Sequence, residues 1–180
     1  MKRSDIQNLI KIPLMTVIVI LCSWITIPSP VPFTLQTFGV YCALLLLGGK
    51  GGTASLLLYI MLGAAGLPVF SGFSAGIGHL LSPLGGYIWG FLICALLYLC
   101  TEKFTKSSKA KKTAVLSLGT LLCYCAGTVW FLIFSGNQTS ILTAVTLCIL
   151  PFVIPDIIKI LFAVFIFTKV TPIINKTIKE

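Results

Sequence analysis

The sequence predicts an all-α, polytopic membrane protein with six transmembrane helices and an irregular, re-entrant external loop between the third and fourth. Composition is the first reason: the 180 residues are 57% hydrophobic and only 9% charged, whereas an ordinary soluble domain carries about 25% charged residues. Mean hydropathy is +1.06. The second reason is arrangement. Apolar residues fall into runs near the ~20 residues that cross a bilayer, and the cations gather in the breaks between them, as in the positive-inside pattern of membrane topology. The formal charge of +9 therefore points to topology and not to nucleic acid, for which no recognition motif accompanies it.

A single membrane domain, 1–180, is expected, with spans at about 9–27, 33–47, 53–65, 84–101, 113–134 and 155–170. Lys2, Arg3 and Asp5 precede the first run in the manner of a signal peptide. S-P-V-P-F follows it in place of a small-residue cleavage site, so a retained helix is expected. Pro28, Pro30 and Pro32 end that run and keep the backbone extended. The same uncharged connector carries Thr34, Gln36 and Thr37. The second run stops at Gly48-Gly49-Lys50-Gly51-Gly52. A phosphate-binding loop needs Ser or Thr after its lysine, between a strand and a helix. Here Gly51 follows Lys50, and a tight turn is expected.

The third run is short for a crossing and places Ser55 and Tyr59 four apart, on one helix face. A long glycine-rich stretch, 66–87, follows without charge. Irregular backbone near a bilayer persists only where it is buried in protein or lines a cavity, so this stretch reads as a lid or pocket wall. It holds His79, the only histidine, for which a solvated or interfacial ring is expected over a proton relay. In the fourth run Gly86 and Gly90 form a G-x-x-x-G step that permits close helix contact. The basic loop from Lys103 through Lys106 to Lys112 fixes topology and can meet anionic lipid headgroups. After the fifth run, Asn137-Gln138-Thr139 fits the glycosylation sequon, a match that is common by chance.

The last apolar stretch, 141–167, is too long for one ordinary span and is broken by Pro151 and Pro155. A short segment to about Phe152 is expected, then a sixth helix beginning near Pro155, since proline suits a first helical turn. Asp156 and Lys159 sit just inside that helix, three apart on one face. Each ionisable group at membrane depth costs on the order of 3 kcal/mol, so the pair either serves a function or holds helices together. Of the thirteen Lys and Arg residues, only Lys159 lies outside the cytoplasmic clusters, which comprise the N-terminus, Lys50, the basic loop and the C-terminus. The opposite side collects the uncharged connectors. Asp156, Lys159, Gln36, Thr34, Phe73, Tyr87 and Tyr59 can thus meet in one extracytoplasmic cavity for a small solute with an anionic end and polar N–H or C=O groups. On this reading Lys159 takes the carboxylate, Asp156 accepts from N–H donors, and aromatic rings cover an apolar middle.

No enzyme constellation is present. A serine–histidine–carboxylate set would need His79 near a carboxylate, no second acidic residue lies at membrane depth beside Asp156, and neither H-E-x-x-H nor an ATP-binding motif occurs. The seven cysteines show no C-x-x-C spacing and act as small hydrophobes, so no metal or cofactor is expected.

The segments L-G-G-K-G-G-T-A-S-L-L-L-Y (47–59), G-A-A-G-L-P-V-F-S-G-F (63–73), S-P-L-G-G-Y-I-W-G-F (82–91) and P-F-V-I-P-D-I-I-K (151–159), with V-P-F-T-L-Q-T (31–37), together resemble the BioY family. These are the biotin-specific substrate-binding S components of energy-coupling factor (ECF) transporters. The resemblance implies six membrane helices, biotin capture on the outer face, and partnership with a transmembrane coupling subunit and two ATPase subunits. It implies vitamin-site roles for Asp156 and Lys159, which match the family's P-x-x-x-x-D-x-x-K pair, and by position for residues of 31–37 and 70–76 and for Tyr87. Two departures stand out. The first helix lacks the A-x-x-x-A step that many S components use for docking, and Leu84 replaces a small polar residue. A carrier of another carboxylated vitamin, proton-coupled or unassisted, and a membrane protein whose Asp–Lys pair only packs helices are the alternative readings.

Overall fold

The computed structural model describes residues 3–27, 33–105, 108–135 and 140–177. Lys2, the prolines at 28, 30 and 32, Lys106 and the Asn137-Gln138-Thr139 match lie outside these residues. The fold is helical, as the composition predicts. An apolar chain in hydrocarbon must satisfy its backbone internally, and helices do so segment by segment.

Helix α1 runs Arg3–Trp24. A two-residue antiparallel ladder follows, Thr26–Ile27 against Phe33–Thr34, and Leu35 N–H closes it onto the Ile25 carbonyl at 3.0 Å. Helix α2 runs Gln36–Ala64 and is interrupted at Gly48, where φ is 73° and ψ −179°, a backbone state that only glycine adopts without strain. The chain reverses there. Gln36 Nε2 donates to Tyr59 OH at 2.8 Å across 23 positions of sequence, whereas an unbroken helix would hold these residues about 35 Å apart. The glycine turn is therefore confined to Gly48, and the rest of the cluster already belongs to the second arm.

A connector, 65–84, leads away from α2 through a 3-10 turn at Ser71–Phe73 and a short helix, α3, at Ile77–Leu80. Side chains of α1 tie it down: Ser23 Oγ donates to the Val69 carbonyl at 2.6 Å, and Trp24 Nε1 to the Pro68 carbonyl at 3.0 Å. The expected irregular loop is present, packed against protein.

Helices α4, Gly85–Thr105, and α5, Lys109–Ser135, lie against each other along a seam of small residues. A methyl group placed on Gly90 would sit 3.0 Å from the Cα of Cys123, so the expected G-x-x-x-G contact forms and its partner is α5. Gly90→Val should destabilise the detergent-solubilised protein by about 1–3 kcal/mol, because overpacking drives side chains off rotamer or backbones apart. Thermal unfolding checks this, and an unchanged midpoint would contradict the seam.

Helix α6, Ile141–Cys148, is followed without a loop by α7, Leu150–Thr177. The division expected at Pro155 is corrected. The break falls at Ile149, with φ −121° and ψ −59°, so Pro151 takes the permissive first turn and Pro155 lies within α7. Asp156 is thus a turn and a half inside the helix and not at its mouth. The long helical segments are α1, the two arms of α2, α4, α5 and α7. Among the described residues, four stretches are long and apolar enough to cross a membrane: Gln36–Ala64 (both arms), Gly85–Phe104, Lys109–Ser135 and Ile141–Pro172. The described apolar part of α1, Ile10–Trp24, is shorter.

Candidate substrate-binding site

A cavity of about 360 Å³ opens among α2, α4, α5, α6, α7 and the connector, a size in the range of small-molecule sites. Val40, Ile88, Phe91, Leu147 and Phe152 give it apolar walls. Its charged centre is the pair from α7. Lys159 Nζ lies 2.8 Å from Asp156 Oδ1, and both side chains are less than a tenth exposed. The three-residue helical spacing delivers this contact directly.

Groups from two other helices complete the centre. Thr37, in the first turn of α2, donates to Asp156 Oδ1 at 2.8 Å, and Tyr124 of α5 donates to Asp156 Oδ2 at 2.5 Å. Lys159 donates to the Thr34 carbonyl at 2.8 Å and to Thr37 Oγ1 at 2.9 Å, with the Phe33 ring 5.0 Å from its ammonium. An ammonium has three donors, and all three are met by these two oxygens and Asp156. A carboxylate offers about four acceptor positions, of which Thr37, Lys159 and Tyr124 occupy three. The centre thus has acceptor capacity to spare and no donor to spare. No buried side-chain nitrogen or oxygen among the described residues lacks a partner.

The residues singled out from sequence separate into two groups. Asp156, Lys159, Thr34, Gln36 and Tyr87 all border the cavity. Thr34 contributes its carbonyl to Lys159 and its hydroxyl to the N–H of Gln36 at 3.4 Å. Tyr87 OH lies 3.3 Å from Thr128 Oγ1. Tyr59 does not border the cavity: it is buried behind the wall, where its hydroxyl accepts from Gln36 and holds that side chain. Phe73 is corrected outright. Its positive φ of 58° turns the side chain outward, so that it is 62% exposed and rests on Trp24 with centroids 4.9 Å apart.

At three positions the structure adds to the sequence reading. Thr37 lies in the 31–37 loop to which the resemblance gives a vitamin-site role, and its bridging of Asp156 and Lys159 comes from the structure. Tyr124 was hidden in an apolar run, yet Thr120, Tyr124 and Thr128 recur every four residues and draw a polar stripe along one face of α5. His79, expected to be a solvated or interfacial ring, is partly buried. It borders the cavity and stacks on the fully buried Phe70, centroids 5.2 Å apart. Burial pushes its pKa below the ordinary value of 6.5.

Comparison with known proteins agrees with this architecture. The model of the BioY family matches residues 1–176. A probable biotin transporter BioY of Pyrococcus horikoshii is 43% identical over 77% of this chain and 79% of its own. The biotin transporter BioY of Thermotoga maritima is 38% identical over 89% and 93% respectively. The crystal structure of an S-component for biotin from an ECF-type ABC transporter superposes with a TM-score of 0.84 at 27% identity, covering 96% of this chain and 95% of that one. With the charged centre, the helical frame and the sequence match in agreement, the chain belongs to the BioY family.

Proposed function

We propose that this chain binds biotin in the cavity beside Asp156 and Lys159 and is the substrate-specific component of an ECF-type transporter. The observation that supports this most strongly is the buried ion pair open to a cavity of ligand size. The ureido ring of biotin has two N–H donors flanking a carbonyl. Asp156 Oδ2 retains an acceptor position for an N–H, and Lys159 can exchange its bond to the Thr34 carbonyl for one to the ureido oxygen. Tyr124 and Thr37 hold the carboxylate in place meanwhile. Val40, Ile88 and Phe91 offer apolar surface to the sulfur-containing ring and the aliphatic chain. On this reading Lys159 serves the ureido end and not the ligand carboxylate.

The family's role is transport, and nothing in the site resembles a catalytic set. Positive-inside patterning puts the N-terminus, Lys50, the basic loop and the C-terminus on the cytoplasmic side of the cell membrane, with the cavity facing outward. The S-component role brings with it partner ATPases acting through a transmembrane coupling subunit; the chain itself carries no ATP-binding motif.

A panel of vitamins tested for thermal stabilisation of the solubilised chain checks the reading. Ligand at a hundred times its dissociation constant stabilises the native state by about 2.7 kcal/mol. Biotin should raise the unfolding temperature and the other vitamins should not. Stabilisation by another vitamin with none from biotin would defeat the proposal.

A further inference from the structure

Resting on the biotin reading, the geometry points to a role for His79: it holds the carboxylate tail of the ligand and takes up a proton at Nδ1 on doing so. Two groups on the cavity wall can carry positive charge, Lys159 and His79. Lys159 is held by Asp156 and Thr37, and on the biotin reading its third donor passes from the Thr34 carbonyl to the ureido oxygen, which leaves none for the tail. A ligand with a ureido ring at one end and a carboxylate at the other needs a second donor, and His79 stands on the wall built by the connector.

Its hydrogen-bonding state follows from the neighbouring serine. Ser74 Oγ donates its one proton to the Ser71 carbonyl at 2.7 Å, so at 3.3 Å from His79 Nε2 it can only accept. Nε2 therefore carries hydrogen, and in the neutral ring Nδ1 is an acceptor. Ser74 is not part of the cavity wall whereas His79 is. Phe70 covers one face of the ring. With Nε2 against Ser74, Nδ1 is the ring nitrogen left for a ligand. An incoming carboxylate meets a lone pair there unless a proton from solvent joins it, which converts the contact into a charge-assisted N–H···O bond.

Other titratable groups do not compete. From α2, Tyr41 borders the cavity and Tyr59 lies behind Phe70; from α4 come Tyr87 and Cys94, from α5 Cys123 and Tyr124, and from α6 Cys148. Ordinary tyrosines and thiols ionise above the range tested here, about pH 5.5 to 7.5. Asp156 and Lys159, across the cavity, neutralise one another. The carboxyl of biotin stays ionised throughout this range, its ordinary pKa lying near ~4.3.

Binding that raises the pKa of His79 takes up a proton, so affinity is greatest at low pH. It weakens between the free-state pKa, below 6.5, and the bound-state pKa, by up to about tenfold per pH unit. Dissociation constants for biotin and for biotinamide, its uncharged tail analogue, test this in the parent chain and in His79→Gln. The parent should show the slope with biotin and none with biotinamide. His79→Gln should bind biotin about ten- to a hundredfold more weakly at the acid end, without the slope, and biotinamide as before, which also shows that the variant is folded. A flat biotin profile in the parent overturns the role of His79, as does equal loss of both ligands in the variant. If neither ligand binds the parent, the biotin reading itself falls.

Discussion

Lys159→Met should cost about 3–5 kcal/mol of stability, because it leaves the buried carboxylate of Asp156 with no cation. Only the hydroxyls of Thr37 and Tyr124 remain to solvate it. Biotin affinity should fall by about 2–5 kcal/mol, the range measured when one member of a buried charge pair is truncated. The double variant Asp156→Asn, Lys159→Met separates the two roles the pair can have. Replacing a buried ion pair with neutral groups of similar volume is often harmless to stability, so the double variant should unfold close to the parent. It should nevertheless fail to bind biotin, having neither the carboxylate for the N–H groups nor the ammonium for the carbonyl. Unfolding in detergent and labelled-biotin binding, measured side by side, decide the matter. A double variant that binds normally would mean that the pair only packs helices.

How far the site could be read from sequence depended on contrast with the surroundings. Asp156 and Lys159 stood out because a charge in an apolar run is costly and needs a functional or packing reason, and their spacing predicted their contact. The cluster Gly48–Gly52 was legible as a reversal because a run of glycines between two apolar segments has few other uses, whereas its confinement to Gly48 was not. The start of α7 was not legible. Pro151 and Pro155 both satisfy the preference of proline for a first turn, and the choice fell to the backbone at Ile149. Tyr124 gave no contrast, since a tyrosine among apolar residues passes for an interfacial anchor until its spacing from Thr120 and Thr128 is noticed. His79 looked isolated because its partners, Phe70 and Ser74, are not titratable. The choice between Phe70 and Phe73 as the inward aromatic was also invisible: both lie in one glycine-rich stretch, and the positive φ at Gly72 and Phe73 settles it.

That last distinction carries the second large effect. Phe70 is wholly buried, its ring meeting Tyr59 edge-on at 5.4 Å and His79 face-on. Its N–H donates to the Ser74 carbonyl at 3.1 Å, one residue after the Val69 carbonyl is held by Ser23. Phe70→Ala should cost about 3–5 kcal/mol, the range for deleting a buried phenylalanine ring. It should also weaken biotin binding, because the same ring backs Tyr59, which positions Gln36, and supports His79. Phe73→Ala removes a ring from the same loop that is mostly exposed and touches Trp24, so it should change stability by no more than about 1 kcal/mol and leave affinity as it was. Thermal unfolding and biotin titration of the two variants test whether the connector is a wall of the site or only a link between helices. Equal effects from Phe70→Ala and Phe73→Ala would favour the link, since a wall must depend on the ring that faces inward.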